Sequence, residues 1–472
     1  MKKNLLLSLL ASAMMISSTA AVDLYVDGGQ LHPDVPPTIV SNRTMVPLRS
    51  IFEVLSADVQ WNAETNTATA SKSDKTISVT LGSKTAYVNG AAQTLDVPAQ
   101  LINNRTMVPA RFVSESLDAR VLWDEPAQAV YIITPDHKSL VTEYLDVGQA
   151  DSILLSSDGE YMLIDAGNND DGDDVVRYLQ SVGANELKYV VGTHPHADHI
   201  GGLDDVINSL DVENVLLPDA TNNTNAFGDV LTAIENKKVP LTVPKTGDIF
   251  TLGDTKITVV AAEPADELNN VSLVLKATYK NTSVLYMGDA ETELENKILD
   301  SGADIASDII KIGHHGAGTS SGVAFLTRVR PKTAVISVGA DNDYGHPSPV
   351  VLDRLTGVPI WRTDKNGTVI SMTDGEVCKL TSLGKNQSPD NVKPSNSASP
   401  STSATAEPST TTKQTTTANP FPTTSTSNSQ TVYVTPTGKR YHYSSSCAGK
   451  NATRSTLSDA KSRGLTPCKK CA

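Results

Sequence analysis

The chain predicts an α/β protein with a smaller α+β unit before it and a short stapled module behind it. Three observations lead there. Between residues 139 and 382 short apolar runs alternate with helical stretches, and several of those runs stop at Asp or His. Residues 42–61 and 104–123 form an internal repeat. From residue 384 to 430 the composition turns to Ser, Thr, Pro and Asn, and apolar patterning returns only at Thr431-Val432-Tyr433-Val434.

At 472 residues the chain exceeds a single core. Met1-Lys2-Lys3, the run Leu5 to Leu10 and small residues up to Ala21 have the pattern of a secretory signal peptide over residues 1–21. That run is too short for a membrane span, and no later one reaches span length. The expectation is a bacterial protein, secreted or held at the envelope, with no transmembrane segment in its mature form. A net charge of -14 argues against a body that wraps nucleic acid. Of the four cysteines, Cys378 stands alone while Cys447, Cys468 and Cys471 crowd the tail, so no disulfide framework spans the chain.

The repeat defines a first unit over residues 24–136. Asn42-Arg43-Thr44-Met45-Val46-Pro47 recurs as Asn104-Arg105-Thr106-Met107-Val108-Pro109, and Trp61 recurs as Trp123. Each proline suits the first turn of a short amphipathic helix. Asn89-Gly90 marks a hairpin. The unit resembles the copper amine oxidase N-terminal-like domain and is expected to be a scaffold. No copper site follows, since His32 and His137 are too few and too far apart.

The central segment, residues 139–382, carries strand candidates at Ser152–Leu155, Tyr161–Ile164, Lys188–Val191, Val271–Leu275, Val284–Met287, Ile309–Ile312 and Ala334–Val338. A helix is expected over Val175–Val182, capped by Asp173-Asp174. Its densest chemistry is Thr193-His194-Pro195-His196-Ala197-Asp198-His199 after an apolar strand. In extended backbone His194 and His196 point the same way and can share one metal. Asp198 and His199 can reach a second metal about 3.5–4 Å from the first. Asp165, Asp289, His314-His315 and His346 stand where other strands stop, the usual edge for a site in a layered α/β fold.

Together these motifs resemble the metallo-β-lactamase superfamily, which implies an αββα sandwich. Within it they are most similar to the extracytoplasmic domain of ComEC-type competence proteins. The likeness rests on Leu145-Asp146-Val147-Gly148-Gln149-Ala150-Asp151-Ser152, Lys311-Ile312-Gly313-His314-His315-Gly316 and Gly345-His346-Pro347. The resemblance implies metal ligands at His194, His196, Asp198, His199, Asp289 and His315, with Asp165 orienting a ligand from behind. It leaves open which of His314 and His315 binds; His315 is favoured, with His314 facing substrate. Asn269-Asn270-Val271-Ser272 stands where many members carry a further histidine, so manganese and zinc both suit the site. Asp198, Lys311, His314 and His346 are the candidate catalytic residues; the last three could steady an anionic transition state or protonate a leaving group. Asp146 and Asp151 are expected to organise loops.

Residues 384–430 read as a tether, and residues 431–472 as a basic module. His442, Cys447, Cys468 and Cys471 suit one tetrahedral structural zinc, with a disulfide as the alternative. The module resembles an Ada-type zinc module. Its eight Lys and Arg residues face one acid, Asp459, which suits phosphate-backbone binding or docking to anionic wall polymers.

The function expected is an exported dinuclear metal-dependent hydrolase acting on the phosphodiesters of DNA. The alternatives are another hydrolase of the same fold (phosphorylcholine esterase, lactonase or β-lactamase) and a non-catalytic envelope-binding protein.

Overall fold

Period-two alternation sets the layers of the central region. In the strand Glu160–Ala166, Met162 and Ile164 point to one side and Leu163 to the other. The computed structural model describes residues 22–385 and, in the C-terminal module, 431–435, 440–442, 453–456, Ala460, Arg463 and 465–467. The expected signal peptide, nearly all of the tether, and Cys447, Cys468 and Cys471 lie outside the described residues. Among the described residues no helix is long and apolar enough to cross a membrane.

The N-terminal unit is built by its repeat. Strand β1 (Arg43–Pro47) leads into helix α1 (Leu48–Val54), and β2 (Arg105–Pro109) leads into α2 (Ala110–Glu115). β1 and β2 pair antiparallel with Val46 opposite Val108, so the two copies meet about a local twofold. Arg43 reaches Asp96, just ahead of the second copy, at 2.6 Å, and Arg105 pairs in return with Asp34, just ahead of the first. Pro47 is the last strand residue and caps α1 rather than entering it. Asn89 and Gly90 both take positive φ between paired strands, the backbone a two-residue hairpin of this twist requires.

Two sheets form the centre. One is eight-stranded and contains β3 (Leu140–Tyr144), β4 (Ser152–Ser157), β5 (Glu160–Ala166) and, after helix α3 (Gly172–Ser181), β6 (Tyr189–Val191). Helix α4 (Ala197–Ile200) follows β6. The other sheet is seven-stranded and contains β7 (Val274–Tyr279), β8 (Thr282–Tyr286), β9 (Ile309–Lys311) and β10 (Thr333–Ile336). Tyr144, Leu155, Ile164 and Val191 from the first sheet meet Leu275, Tyr286, Ile309 and Val335 from the second in one core. The outer face of the first sheet packs on α3 and neighbouring helices through Leu163, Val190, Val175 and Leu179. The outer face of the second packs on helices carrying Leu294, Ile298 and Phe325. The result is an αββα sandwich.

Local chemistry shifts several boundaries. The strand expected at Val271 begins at Val274, because Leu268–Val271 forms a 3-10 turn. Asn270 Oδ1 accepts the Glu291 amide there, which ties the turn to the loop that follows Asp289. Helix α3 starts at Gly172 after Asp171, so Asp173 and Asp174 sit in its first turn, where carboxylates meet the positive end of the helix. β8 stops at Tyr286 and β10 at Ile336, one and two residues short of expectation.

The C-terminal module, taken by itself, is a four-stranded sheet of Thr431–Val434, Arg440–His442, Thr453–Thr456 and Thr466–Pro467.

Candidate metal centre

Four strand ends converge. At the end of β5, Asp165 takes a left-handed φ of 58°, a strained state for a residue with a side chain. Its Oδ1 accepts the Thr193 amide at 2.8 Å; its Oδ2 accepts Thr193 Oγ1 at 2.7 Å and lies 2.8 Å from His199 Nδ1. With Nδ1 donating to Asp165, the His199 Nε2 lone pair points into the site. β6 then delivers His194 and His196, whose Nε2 and Nδ1 lie 3.0 Å apart. Asp198 and His199 ride on the single turn of α4.

From the second sheet, β8 ends at Tyr286 and Asp289 follows. Gly288 is required here: a β-carbon would lie 3.0 Å from both Ser272 Oγ and Thr193 Cβ. Asp289 spans the site. Its Oδ1 lies 3.2 Å from His199 Nε2, and its Oδ2 lies 4.0 Å from His194 Nε2 and 3.7 Å from both His314 Nε2 and His315 Nε2. His314 and His315 follow β9 with positive φ, which splays the two rings apart. His315 Nδ1 faces the Ser337 carbonyl at 3.1 Å, and its Nε2 lies 3.3 Å from Asp198 Oδ2. His314 Nδ1 meets Glu291 Oε1 at 3.0 Å.

Asp198, His199, Asp289 and His315 each offer one ligand atom, all within 4.8 Å of one another. His194 stands beside this group on the Oδ2 side of Asp289, and the His196 ring lies 4.7 Å from the His194 ring between centroids. The buried atoms His199 Nε2, His315 Nε2 and Asp289 Oδ1 have no hydrogen-bond partner. Orphaned nitrogen and carboxylate atoms that converge in this way fit a divalent ion.

The charges agree with the geometry. Burial pulls His199 toward neutrality, but Asp289 and Asp165 outweigh it and raise its proton affinity well above the usual range. His315, likewise buried, is lifted by Asp289 and Asp151 to about 10. Burial opposes ionisation of Asp198, yet its contact with His315 and the charge of His199 lower it to about 2. Asp289 is also held well below the carboxylate range against its burial, chiefly by His199 and His315. A bound dication would compete with protons for these histidine nitrogens and offset the charge of the carboxylates.

Lys311 departs from expectation. Its side chain is fully buried, and Nζ donates to Asp151 Oδ2 at 2.7 Å and to the Ile312 carbonyl at 3.0 Å. The ammonium is spent inside the fold and does not face substrate. Asp151 Oδ1 in turn lies 3.3 Å from His315 Nδ1, so the pair braces a candidate ligand. His314 and His346 remain partly exposed, with ring centroids 5.6 Å apart. His442 lies on a strand of the C-terminal module; its cysteine partners lie outside the described residues.

Sequence reasoning gave no role to Glu291, Thr193 or Gln149. Glu291 collects His314, Thr319 Oγ1 at 2.8 Å and Asn269 Nδ2 at 3.3 Å. Its place two residues after Asp289 was the one available signal. Asn269, standing where many members of the superfamily carry a further histidine, contributes an amide to that same carboxylate.

Residues 145–340 match the family model described as Metallo-beta-lactamase superfamily, and residues 25–132 match Copper amine oxidase N-terminal domain. The chain is 30% identical over 249 residues to ComE operon protein 3 of Bacillus subtilis (strain 168), covering 48% of this chain and 32% of that protein. It is 26% identical over 239 residues to Competence protein ComA of Neisseria gonorrhoeae, covering 50% and 32% respectively. The chain thus spans about a third of the length of these curated relatives. A solved structure, the metallo-beta-lactamase fold protein YhfI from Bacillus subtilis, is similar at 12% identity and a TM-score of 0.32, over 47% of this chain and 95% of that one. Residues 145–340 thus match the metallo-β-lactamase superfamily model behind residues that match the copper amine oxidase N-terminal domain, and about half of the chain is similar to competence proteins.

Proposed function

We propose that this chain is an exported, two-metal phosphodiesterase that cleaves DNA. The observation that carries the reading is the position of Asp289, one oxygen toward His199 and the other toward His194, His314 and His315. Asp198, His199, Asp289 and His315 would hold one ion; His194, His196 and the second oxygen of Asp289 would hold the other. Zinc and manganese both suit these donors. Bound divalent ions supply Lewis acidity and a water that ionises near neutral pH.

The chain's own residues do the rest. Asp165 keeps His199 in one tautomer, and the Lys311–Asp151 pair keeps His315 in place. His314, with Nδ1 committed to Glu291, presents Nε2 toward the reacting centre and can deliver a proton to a leaving oxygen. His346 lines the same side. The competence relatives favour DNA over other esters.

The proposed organisation is a signal peptide at 1–21, a scaffold at 24–136, the hydrolase at 139–382, a tether at 384–430 and a zinc-stapled basic module at 431–472 that concentrates substrate. Metal analysis of the purified protein, with a panel of DNA, phosphorylcholine ester, lactone and β-lactam substrates, tests the reading. Three divalent ions per chain, two in the hydrolase and one in the C-terminal module, and metal-dependent DNA cleavage, abolished in Asp289→Ala with the circular dichroism spectrum kept, are expected. Hydrolysis of one of the other esters with DNA untouched would overturn it.

A further inference from the structure

Tyr344 has no part in the site described above, and it is 73% exposed. Its position is nonetheless fixed. Asn342 Oδ1 accepts the Tyr344 amide at 3.2 Å and the His346 amide at 3.0 Å, while Asn342 Nδ2 donates to the carbonyls of His346 at 2.7 Å and Gly339 at 2.9 Å. The Tyr344 ring stacks on His346 at 5.7 Å between centroids and 28° between planes. His346 is steadied from behind by Gln149 Nε2 at 3.4 Å. From His346 the rings continue to His314 at 5.6 Å and from His314 to His315 at 6.2 Å. A file of aromatic rings thus runs from open solvent to the candidate metal centre. A β-carbon added at Gly345, at the tip, would meet nothing within 4 Å, so the loop next to Tyr344 is uncrowded.

A tyrosine backed on one face by an anchored imidazole offers its other face as a preorganised flat surface. Every nucleobase has a π-face that can use such a surface, so stacking tolerates any sequence. A base inside a duplex is stacked on both sides and paired, and must leave the helix before it can do so. We infer that Tyr344 is a stacking platform for an unpaired base next to the scissile phosphodiester, which makes single-stranded DNA the preferred substrate. This rests on the phosphodiesterase reading and extends it to the form of the substrate.

The test compares a single-stranded oligodeoxynucleotide with a strand of equal length made of abasic residues, using the full chain with its metal. For the wild type we expect KM about tenfold lower on the base-bearing strand, the scale of one base–aromatic stack. Tyr344→Ala should close that gap by raising KM on the base-bearing strand, and Tyr344→Phe should restore it. Equal KM on both strands for the wild type, or a gap that survives Tyr344→Ala, overturns the platform while leaving the phosphodiesterase reading intact. Cleavage of neither strand by the wild type overturns both.

Discussion

Lys311 carries a full charge into the core because Asp151 meets it there. Both side chains are buried and 2.7 Å apart, and Asp151 passes the restraint on to His315. Removing one partner of such a pair strands the other charge, at a cost of about 3–5 kcal/mol. Lys311→Met should therefore lower stability by about that amount in urea unfolding. A lysine whose only work is to touch substrate would lose turnover on substitution and keep its stability, so an unchanged unfolding midpoint would refute the bracing role. Asp165 works in the same way one strand over. Substituting partners that orient metal-bound histidines typically costs 10–100-fold in metal affinity or activity. Asp165→Ala should show that loss in metal titrations while the orphaned donors His315 and Asp289 remain in place.

At the scale of elements, the N-terminal unit is tied to the sandwich through strand Arg120–Asp124. Arg120 makes a two-pronged bond with Glu143 of β3, at 2.7 and 2.8 Å, and Tyr178 of α3 donates to the same carboxylate at 2.5 Å. Tyr25, Leu122 and Tyr131 pack beside it on Val141 and Ile370. Burial raises the Glu143 carboxyl, but the Arg120 guanidinium outweighs it and holds the group below its ordinary range. A folded value below the unfolded one means the pair's contribution is complete above the unfolded value of about 4.3 and is lost as pH falls through the folded value. Glu143→Gln should lower the thermal midpoint at pH 7, and its deficit against wild type should shrink as pH falls below about 4. A deficit independent of pH would mean that lost packing, rather than the ion pair, sets the effect.

Across the whole molecule the charge is divided. The chain carries -14 overall, yet residues 431–472 hold eight basic side chains against one acid. An acidic body repels DNA, so attraction in the proposed enzyme falls to this module. Removing residues 431–472 should raise KM for DNA without lowering kcat. The difference should fade as salt rises, because phosphate contacts release counterions. A KM unchanged at low salt would remove the module from substrate capture.

Much of this was legible in the chain itself. The α/β class followed from short apolar runs alternating with helical stretches, the αββα sandwich from the likeness of the motifs to the metallo-β-lactamase superfamily, and the repeat declared its unit through identical hexapeptides. The His194–His199 cluster could be read because its members are neighbours in sequence, where spacing alone limits geometry. The turn at Leu268–Val271 was not legible, and the expected strand started on its last residue. Nor was the burial of Lys311, since Asp151 lies 160 residues away and only the packing of two sheets brings them together. Tyr344 became significant once folding stacked it on His346 and set that ring beside His314. Residue type and local spacing determined which atoms could bind metal. The long-range closure of the sandwich decided which of them meet, which are braced from behind, and which face the solvent.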